Sequence, residues 1–334
     1  MLKTARLTAA AALLMLALAG CSSDSTNDNT KATDNAQGGS PIKVSIAIQP
    51  WLGYGAWYIA QDQGYFAENN LEVDLIDFEA DADMLAALAA GKVDGLNVAS
   101  HGALLMAEQG VEAKIVLLLD ASTSADAILT DGSITSVAGL KGQQVAYEEG
   151  ATSDLLLNYA LLEAGMTIDD VTKVPLGAAD AGNALMAGRV PAAVTYEPYI
   201  TEAMSQGNGV QVLYEAGVKE GLISDVLMVS DAFIAENPEA VTALIKSWGQ
   251  ALDFYNANPE AGRAIIADGV GENPEDLTTA FDGVEFFDLN ANTQLLTGDY
   301  LQLIMPAVQE AAVKAGLLDG SVEPATIIDA SFLP

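Results

Sequence analysis

Cysteine and histidine are almost missing from this sequence of 334 residues, which has one of each, Cys21 and His101. One histidine cannot build a multi-histidine metal site and allows at most one imidazole-based triad. One cysteine cannot close an internal disulfide. Base is scarce as well: 13 Lys and Arg stand against 46 Asp and Glu, a formal net charge of −33. Phosphate backbones would be repelled, so nucleic acid is set aside as a partner, and adsorption to anionic lipid is disfavoured. The chain carries no P-loop, no dinucleotide glycine fingerprint and no G-x-S-x-G elbow. Beyond the N-terminus no run of 18 apolar residues occurs, so no later transmembrane helix is expected. Carboxylates could serve acid–base chemistry, but they are too numerous for the sequence to single out a pair. No metal site and no cofactor are expected.

The first residues carry a targeting pattern. Lys3 and Arg6 precede the apolar stretch from Leu7 to Leu18, which is too short to span a bilayer comfortably. It ends in Leu18-Ala19-Gly20-Cys21, which resembles the lipobox of bacterial lipoproteins. That resemblance implies a signal peptide over 1–20, cleavage before Cys21, and thioether lipidation of Cys21. The mature chain would then touch a membrane through its lipid. Residues 22–40 are polar and small, with no large apolar side chain, and cannot form a core. A flexible tether over 21–41 is expected.

From residue 42 onward short apolar runs alternate with helical patterns. The patterning predicts strands over 43–48, 71–78, 93–99, 114–119, 144–147, 171–176, 192–196, 210–214 and 224–229. It predicts helices over 54–67, 83–90, 100–109, 152–164, 180–187 and 197–206. Alternation of this kind implies right-handed βαβ crossovers and mainly parallel sheets flanked by helices, an α/β architecture. The plan occurs twice. Ala87-Leu88-Ala89-Ala90-Gly91-Lys92-Val93 aligns without a gap on Ala184-Leu185-Met186-Ala187-Gly188-Arg189-Val190. Gly91 and Gly188 fit the left-handed residue that ends a helix, and Asp83 and Asp180 fit N-caps. Two similar lobes follow: 42–121 plus 223–334 for the first, 122–222 for the second. The links near Ser122–Asp126 and Gly217–Ser224 would form a two-strand hinge.

Open α/β sheets bind ligands beyond the carboxyl ends of their strands, where helix N-termini also point. This rule selects Trp51, Tyr54, Ser100, His101, Ser122, Glu149, Thr152, Ser153, Tyr196 and Glu197 as candidate ligand-binding residues. Trp51 and Tyr196 precede helices, so contact with a ligand is expected of them. Trp57 and Tyr199 lie inside helices and read equally well as core or as site. Ser100 and Glu197 could simply cap helices, and a lone His101 in a first turn could be packed or solvated. Asp120, Asp126, Glu148, Glu149, Asp154 and Glu197 lie in the same loops, which hold no Lys or Arg. Aromatic walls beside acids suit a cation or a flat N–H-rich solute.

Several of these segments together resemble the substrate-binding proteins of the nitrate/sulfonate/taurine and thiamine-precursor pyrimidine ABC importers. They are Ile48-Gln49-Pro50-Trp51-Leu52-Gly53-Tyr54-Gly55-Ala56-Trp57-Tyr58-Ile59-Ala60, Gln63-Gly64-Tyr65-Phe66, Leu85 to Asp94, and Ala192-Ala193-Val194-Thr195-Tyr196-Glu197-Pro198-Tyr199. The resemblance implies a two-lobed periplasmic-binding-protein-like clamp of type II. It further implies an extracytoplasmic, monomeric receptor that passes a small-molecule solute to an ABC permease with a cytoplasmic ATPase. It does not name the solute. The residues favour a small nitrogenous or zwitterionic organic ligand; a sulfonate- or nitrate-type anion is the alternative. A signalling receptor on the same fold stays open. A related pyrimidine synthase uses a Cys-rich motif that this chain lacks, so no enzyme is expected.

Overall fold

The computed structural model describes residues 40–334. Cys21, the signal segment and nearly all of the tether lie outside the described residues. The chain from residue 40 forms eleven strands. They are β1 (Ile42–Ile48), β2 (Leu71–Asp77), β3 (Gly95–Ala99), β4 (Ala113–Ser122), β5 (Asp126–Thr130), β6 (Gln144–Tyr147), β7 (Thr172–Pro175), β8 (Ala192–Tyr196), β9 (Gln211–Glu215), β10 (Ser224–Ser230) and β11 (Val284–Phe286). A larger sheet has the order β11-β4-β10-β3-β1-β2 and a smaller one β7-β6-β8-β5-β9.

The two orders are the same plan. β2-β1-β3-β10-β4 reads onto β7-β6-β8-β5-β9 strand for strand, with β11 added at one edge. In each sheet the fourth strand enters directly after the chain has crossed from the other sheet, and it runs against its neighbours. β10 is antiparallel to β3 and β4, and β5 to β8 and β9. β1 pairs parallel with β2 and β3, and β6 with β7 and β8. The sheets are therefore mixed: most strands share a direction, one reversed strand is inserted in each, and the edge strand β11 of the larger sheet is also reversed. The patterning did not predict β5 or β11. β5 is five buried residues that begin three residues after β4, and β11 is a three-residue edge, so neither is long enough to show a period.

The repeated helix ends behave alike. Gly91 (φ 62°) and Gly188 (φ 65°) are left-handed. Lys92 N–H returns to the Ala87 carbonyl (2.8 Å) and Arg189 N–H to the Ala184 carbonyl (2.9 Å), the long hydrogen bond of a Schellman turn. Asp83 and Asp180 are not N-caps. The helices Asp81–Ala89 and Ala178–Met186 start earlier, after Ala80 and Gly177, and both aspartates sit in the first turn, where negative charge still meets the positive helix end. The expected helix over 54–67 is two helices, Gly55–Asp62 and Tyr65–Glu68, separated at Gly64 (φ 78°).

One apolar cluster packs under the larger sheet around Trp57, Trp248 and Phe281, and a small one under the smaller sheet around Ala127, Leu185 and Ile200. The largest contains buried residues of both sheets, such as Leu118 and Val145, and of the helices against them, such as Leu155 and Met305. There the helix Met305–Ala315 packs against both Ser100–Glu108 and Thr152–Glu163. Trp57 is core: it is fully buried, lies 4.8 Å from Trp248 between ring centroids, and donates to Asn97 Oδ1 at 3.2 Å. Burial of such a ring stabilises the fold by roughly 2–3 kcal/mol. Among the described residues no helix is long and apolar enough to cross a membrane.

Candidate functional site

The facing strand ends of the two sheets enclose a small cavity. The larger sheet contributes Gln49, Trp51, Tyr54 and Asp81, and also Asp225 from β10. The smaller contributes Asp126 from β5, the loop residues Glu148, Ala151, Thr152 and Ser153, and Tyr196 from β8; Ile223, just ahead of β10, completes the wall. The cavity volume is about 30 Å³, room for about two water molecules on the same measure. Tyr196 also faces a wider recess of about 800 Å³, walled by Phe78, Tyr199 and Val270 among others. Tyr199 is thus a recess residue, half-buried and 5.5 Å from the Tyr196 ring.

Four carboxylates line the small cavity, from Asp81, Asp126, Glu148 and Asp225, and no Lys or Arg does. A fifth, Asp120, lies directly behind as the cross-strand partner of Asp225. Asp120, Asp126 and Asp225 are almost fully buried. Burial raises the pKa of each, and the neighbouring carboxylates act in the same direction on most of them. Asp126 is pushed to about 8, with the Ser122 hydroxyl beside it offsetting part of the rise. Asp225 is raised to about 7, with the Tyr54 hydroxyl opposing the burial. Glu148 rises to about 7 through burial and then Asp81, and Asp81 to about 6 through burial and then Asp225. Asp120 is held well above the carboxylate range by burial and by Asp225. Among the described residues no cluster of His, Cys, Asp and Glu has the geometry to hold a metal ion.

Local structure explains the positions. After β1 the chain turns tightly through Trp51-Leu52-Gly53-Tyr54. The Trp51 indole N–H donates to Asp120 Oδ1 (3.1 Å), and the Tyr54 hydroxyl to Asp225 Oδ1 (3.1 Å). A side chain at Gly53 would overlap both the Trp51 indole and the Asp120 carboxylate, so the turn requires glycine there. Trp51 meets Tyr196 edge to face, ring centroids 5.7 Å apart, across the space between the sheets. The Asp81 backbone N–H donates to Glu148 Oε1 (3.0 Å), a hydrogen bond between elements of the two sheets. The Glu148 backbone N–H is in turn held by Ser153 Oγ (3.0 Å).

Of the residues selected from sequence, Trp51, Tyr54, Thr152, Ser153 and Tyr196 line this cavity. The other five do not. Glu149 points to Lys173, an ion pair of 2.8 Å, and its neighbour Glu148 faces inward instead. Glu197 accepts from the Thr201 backbone N–H and hydroxyl, both 3.0 Å, so it closes the start of the helix Tyr199–Gln206. Ser100 donates to the Ser224 carbonyl (2.7 Å) and bonds the Tyr300 hydroxyl, in the interior of the larger sheet. Ser122 sits behind Asp126 at the end of β4. His101 is 2 % exposed with neither ring nitrogen partnered, and burial lowers its pKa to about 4. Asp154, another acid of these loops, is occupied by the Gly150 N–H and the Asn158 amide.

Three of the cavity carboxylates missing from the selection have two origins. Asp81 lies four residues past the end of β2, covered by the carboxyl-end rule but outside the predicted strand 71–78. Asp126 and Asp225 are near the amino ends of β5 and β10. Because those two strands run backwards, their first residues reach the cleft where the others' last residues do.

Residues 53–262 match the family model described as NMT1/THI5 like. A binding protein of Brucella abortus is 29% identical over 232 residues, covering 68% of this chain and 70% of its own. A 4-amino-5-hydroxymethyl-2-methylpyrimidine phosphate synthase of Aspergillus parasiticus is 28% identical over 218 residues, covering 61% and 63%. Among solved structures, the periplasmic aliphatic sulphonate binding protein of Escherichia coli superposes with a TM-score of 0.70 at 21% identity, over 86% of this chain and 98% of that one. The two-sheet architecture is therefore the periplasmic-binding-protein fold. With more than half of its length matched, the chain belongs to the NMT1/THI5-like family.

Proposed function

We propose that this protein is the extracytoplasmic, lipid-anchored solute receptor of an ABC importer, and that it captures a small nitrogenous organic cation between its two lobes. The lobes are residues 42–121 plus 223–334 and residues 122–222. The carrying observation is the cavity between the sheets, which four carboxylates line without a single base. An anion placed there would meet uncompensated like charge in a poorly solvated space. A cation would neutralise carboxylates that are otherwise protonated or strained, and could use the Trp51 and Tyr196 rings for about 0.5–2 kcal/mol more.

Membership of the NMT1/THI5-like family and the fold shared with a sulphonate-binding protein support the receptor role. Only two segments cross between the sheets, 123–125 and 216–223. These are the hinge in this reading, and ligand contacts from both lobes favour the closed form. The synthase relative marks a catalytic use of a similar chain; the Cys-rich motif that the family resemblance associates with that chemistry has no counterpart here, since Cys21 is the only cysteine.

A thermal-shift screen over amines, amidines, ureas, pyrimidines, sulfonates and nitrate tests the ligand class. Small-angle scattering on a hit tests closure. The expected result is a melting rise with a positively charged nitrogen compound and a smaller radius of gyration in its presence. A rise with a sulfonate or nitrate and with no nitrogenous compound would replace the cation by an anion in the same receptor role.

A further inference from the structure

Hydrogen-bonding capacity in the cavity is lopsided. Two of the N–H donors beside the cavity are committed to protein acceptors, whereas the first backbone N–H groups of the helix Thr152–Glu163, at Thr152 and Ser153, are not. The Trp51 indole is on Asp120, and the Asp81 backbone on Glu148. The hydroxyls of Tyr54 and Ser153 are likewise spent, on Asp225 and on the Glu148 carbonyl. Gln49 lies against Asp81. Among the side chains, most of what is left over is acceptor capacity. Each ionised carboxylate offers about four lone-pair sites. Asp225 and Glu148 each use one oxygen on a protein donor, and Asp126, 4 % exposed and facing the cavity, has only the Ser122 hydroxyl beside it. The Thr152 and Tyr196 hydroxyls can accept as well as donate.

We infer that the cavity takes a planar cation rich in N–H groups, of the guanidinium or amidinium class, and discriminates against both quaternary ammonium and simple primary ammonium ions. This rests on the cation-receptor reading above. A quaternary ammonium has no N–H, so every buried acceptor would stay unfilled, at the full desolvation cost of each. A primary ammonium brings three donors to four lining carboxylates. A guanidinium brings more donors in a flat fork, a shape that meets carboxylates two bonds at a time. The carboxylates come from both sheets, Asp81 and Asp225 on one side and Asp126 and Glu148 on the other, so a flat ion bonded along its edges would tie the two together.

The test is calorimetric titration of the full mature protein with guanidinium, acetamidinium, methylammonium, tetramethylammonium and methanesulfonate. Guanidinium or acetamidinium should bind at least tenfold more tightly than methylammonium, and tetramethylammonium should not bind measurably. Asp126→Asn, which turns a carboxylate oxygen into a donor, should weaken guanidinium by tenfold or more with its melting transition retained. Glu236→Gln, on an exposed helix far along the chain, serves as the unchanged control. Methylammonium or tetramethylammonium binding within threefold of guanidinium would overturn the N–H inference and leave the cation reading standing. Binding of methanesulfonate alone would remove both. Should Asp126→Asn fail to fold, the ranking of the cations on the unaltered protein still decides.

Discussion

The backbone N–H of Asp81, the first residue of the helix that follows the larger sheet's β2, donates to the carboxylate of Glu148, in the loop after the smaller sheet's β6. This one bond joins the sheets at the edge of the cavity, and it asks the ring of acids to supply an acceptor before any ligand does. Glu148 is half-buried, so the bond is partly screened and contributes about 1 kcal/mol. Glu148→Ala should therefore shift a ligand-free population toward the open form by roughly fivefold. Small-angle scattering would show a larger mean radius of gyration than the parent. An unchanged profile would mean that the contact holds nothing closed.

The cavity carboxyls set a pH dependence whose sign can be worked out. Asp81, Asp225, Glu148 and Asp126 have folded values of about 6, 7, 7 and 8, against unfolded values of about 4. A raised folded value stabilises fully below the unfolded one and loses that contribution as pH rises through the folded values. The melting temperature of the ligand-free protein should fall between pH 5.5 and 8.5. Most surface acids are already ionised across that window. Asp126→Asn should flatten the slope; a melting temperature that is level or rising in the parent contradicts the argument.

His101 works in the opposite direction. Its folded value of about 4 lies below the unfolded value of 6.5, so its contribution is complete above pH 6.5 and is lost as pH falls toward 4. Its two ring nitrogens are buried without partners. His101→Leu should be neutral or stabilising at pH 8. At pH 5 it should gain about 2 kcal/mol more, because the unfolded parent then binds a proton that the folded form refuses. Urea denaturation at the two pH values measures the difference, and equal effects at both would mean that the ring is hydrated or bonded.

Gly53 fixes the geometry of the aromatic wall. Gly53→Ala would drive a methyl group into the Trp51 indole and the Asp120 carboxylate. Loss of the Trp51–Asp120 bond leaves a buried carboxylate without its donor. Destabilisation of about 1–3 kcal/mol is expected, together with a changed near-ultraviolet tryptophan signal. A variant with unaltered stability and spectrum would show that the turn can relax.

Much of the fold was legible because βαβ units announce themselves in long periodic segments, and because two of them share a gap-free block that includes Gly91 and Gly188. The reversal of two strands was not legible: β10 was expected as a strand over 224–229 but not its direction, and β5 was not expected at all. β5 and β10 are short buried runs, and nothing in the five residues of Asp126–Thr130 reveals direction or partner. The site followed the same division. Trp51, Tyr54, Thr152, Ser153 and Tyr196 stand where the strand-end rule looks. Asp126 and Asp225 reach the cavity only because their strands run backwards. The choice of Glu148 over Glu149 is a matter of alternation: adjacent side chains point opposite ways, and only three-dimensional knowledge of Lys173 says which faces out.

The inserted strands also bear on the order in which the protein can assemble. β5 to β9 are consecutive in the chain, so the smaller sheet has all its partners once residue 215 is present. The larger sheet does not: β3 and β4 flank a slot that stays empty until β10, residues 224–230, has been made. Until then two long apolar edges are unpaired, the kind of surface that invites wrong pairing. Synthesis alone therefore cannot finish the first half of this chain, which must wait, unfinished, for the second half to be completed and sent back.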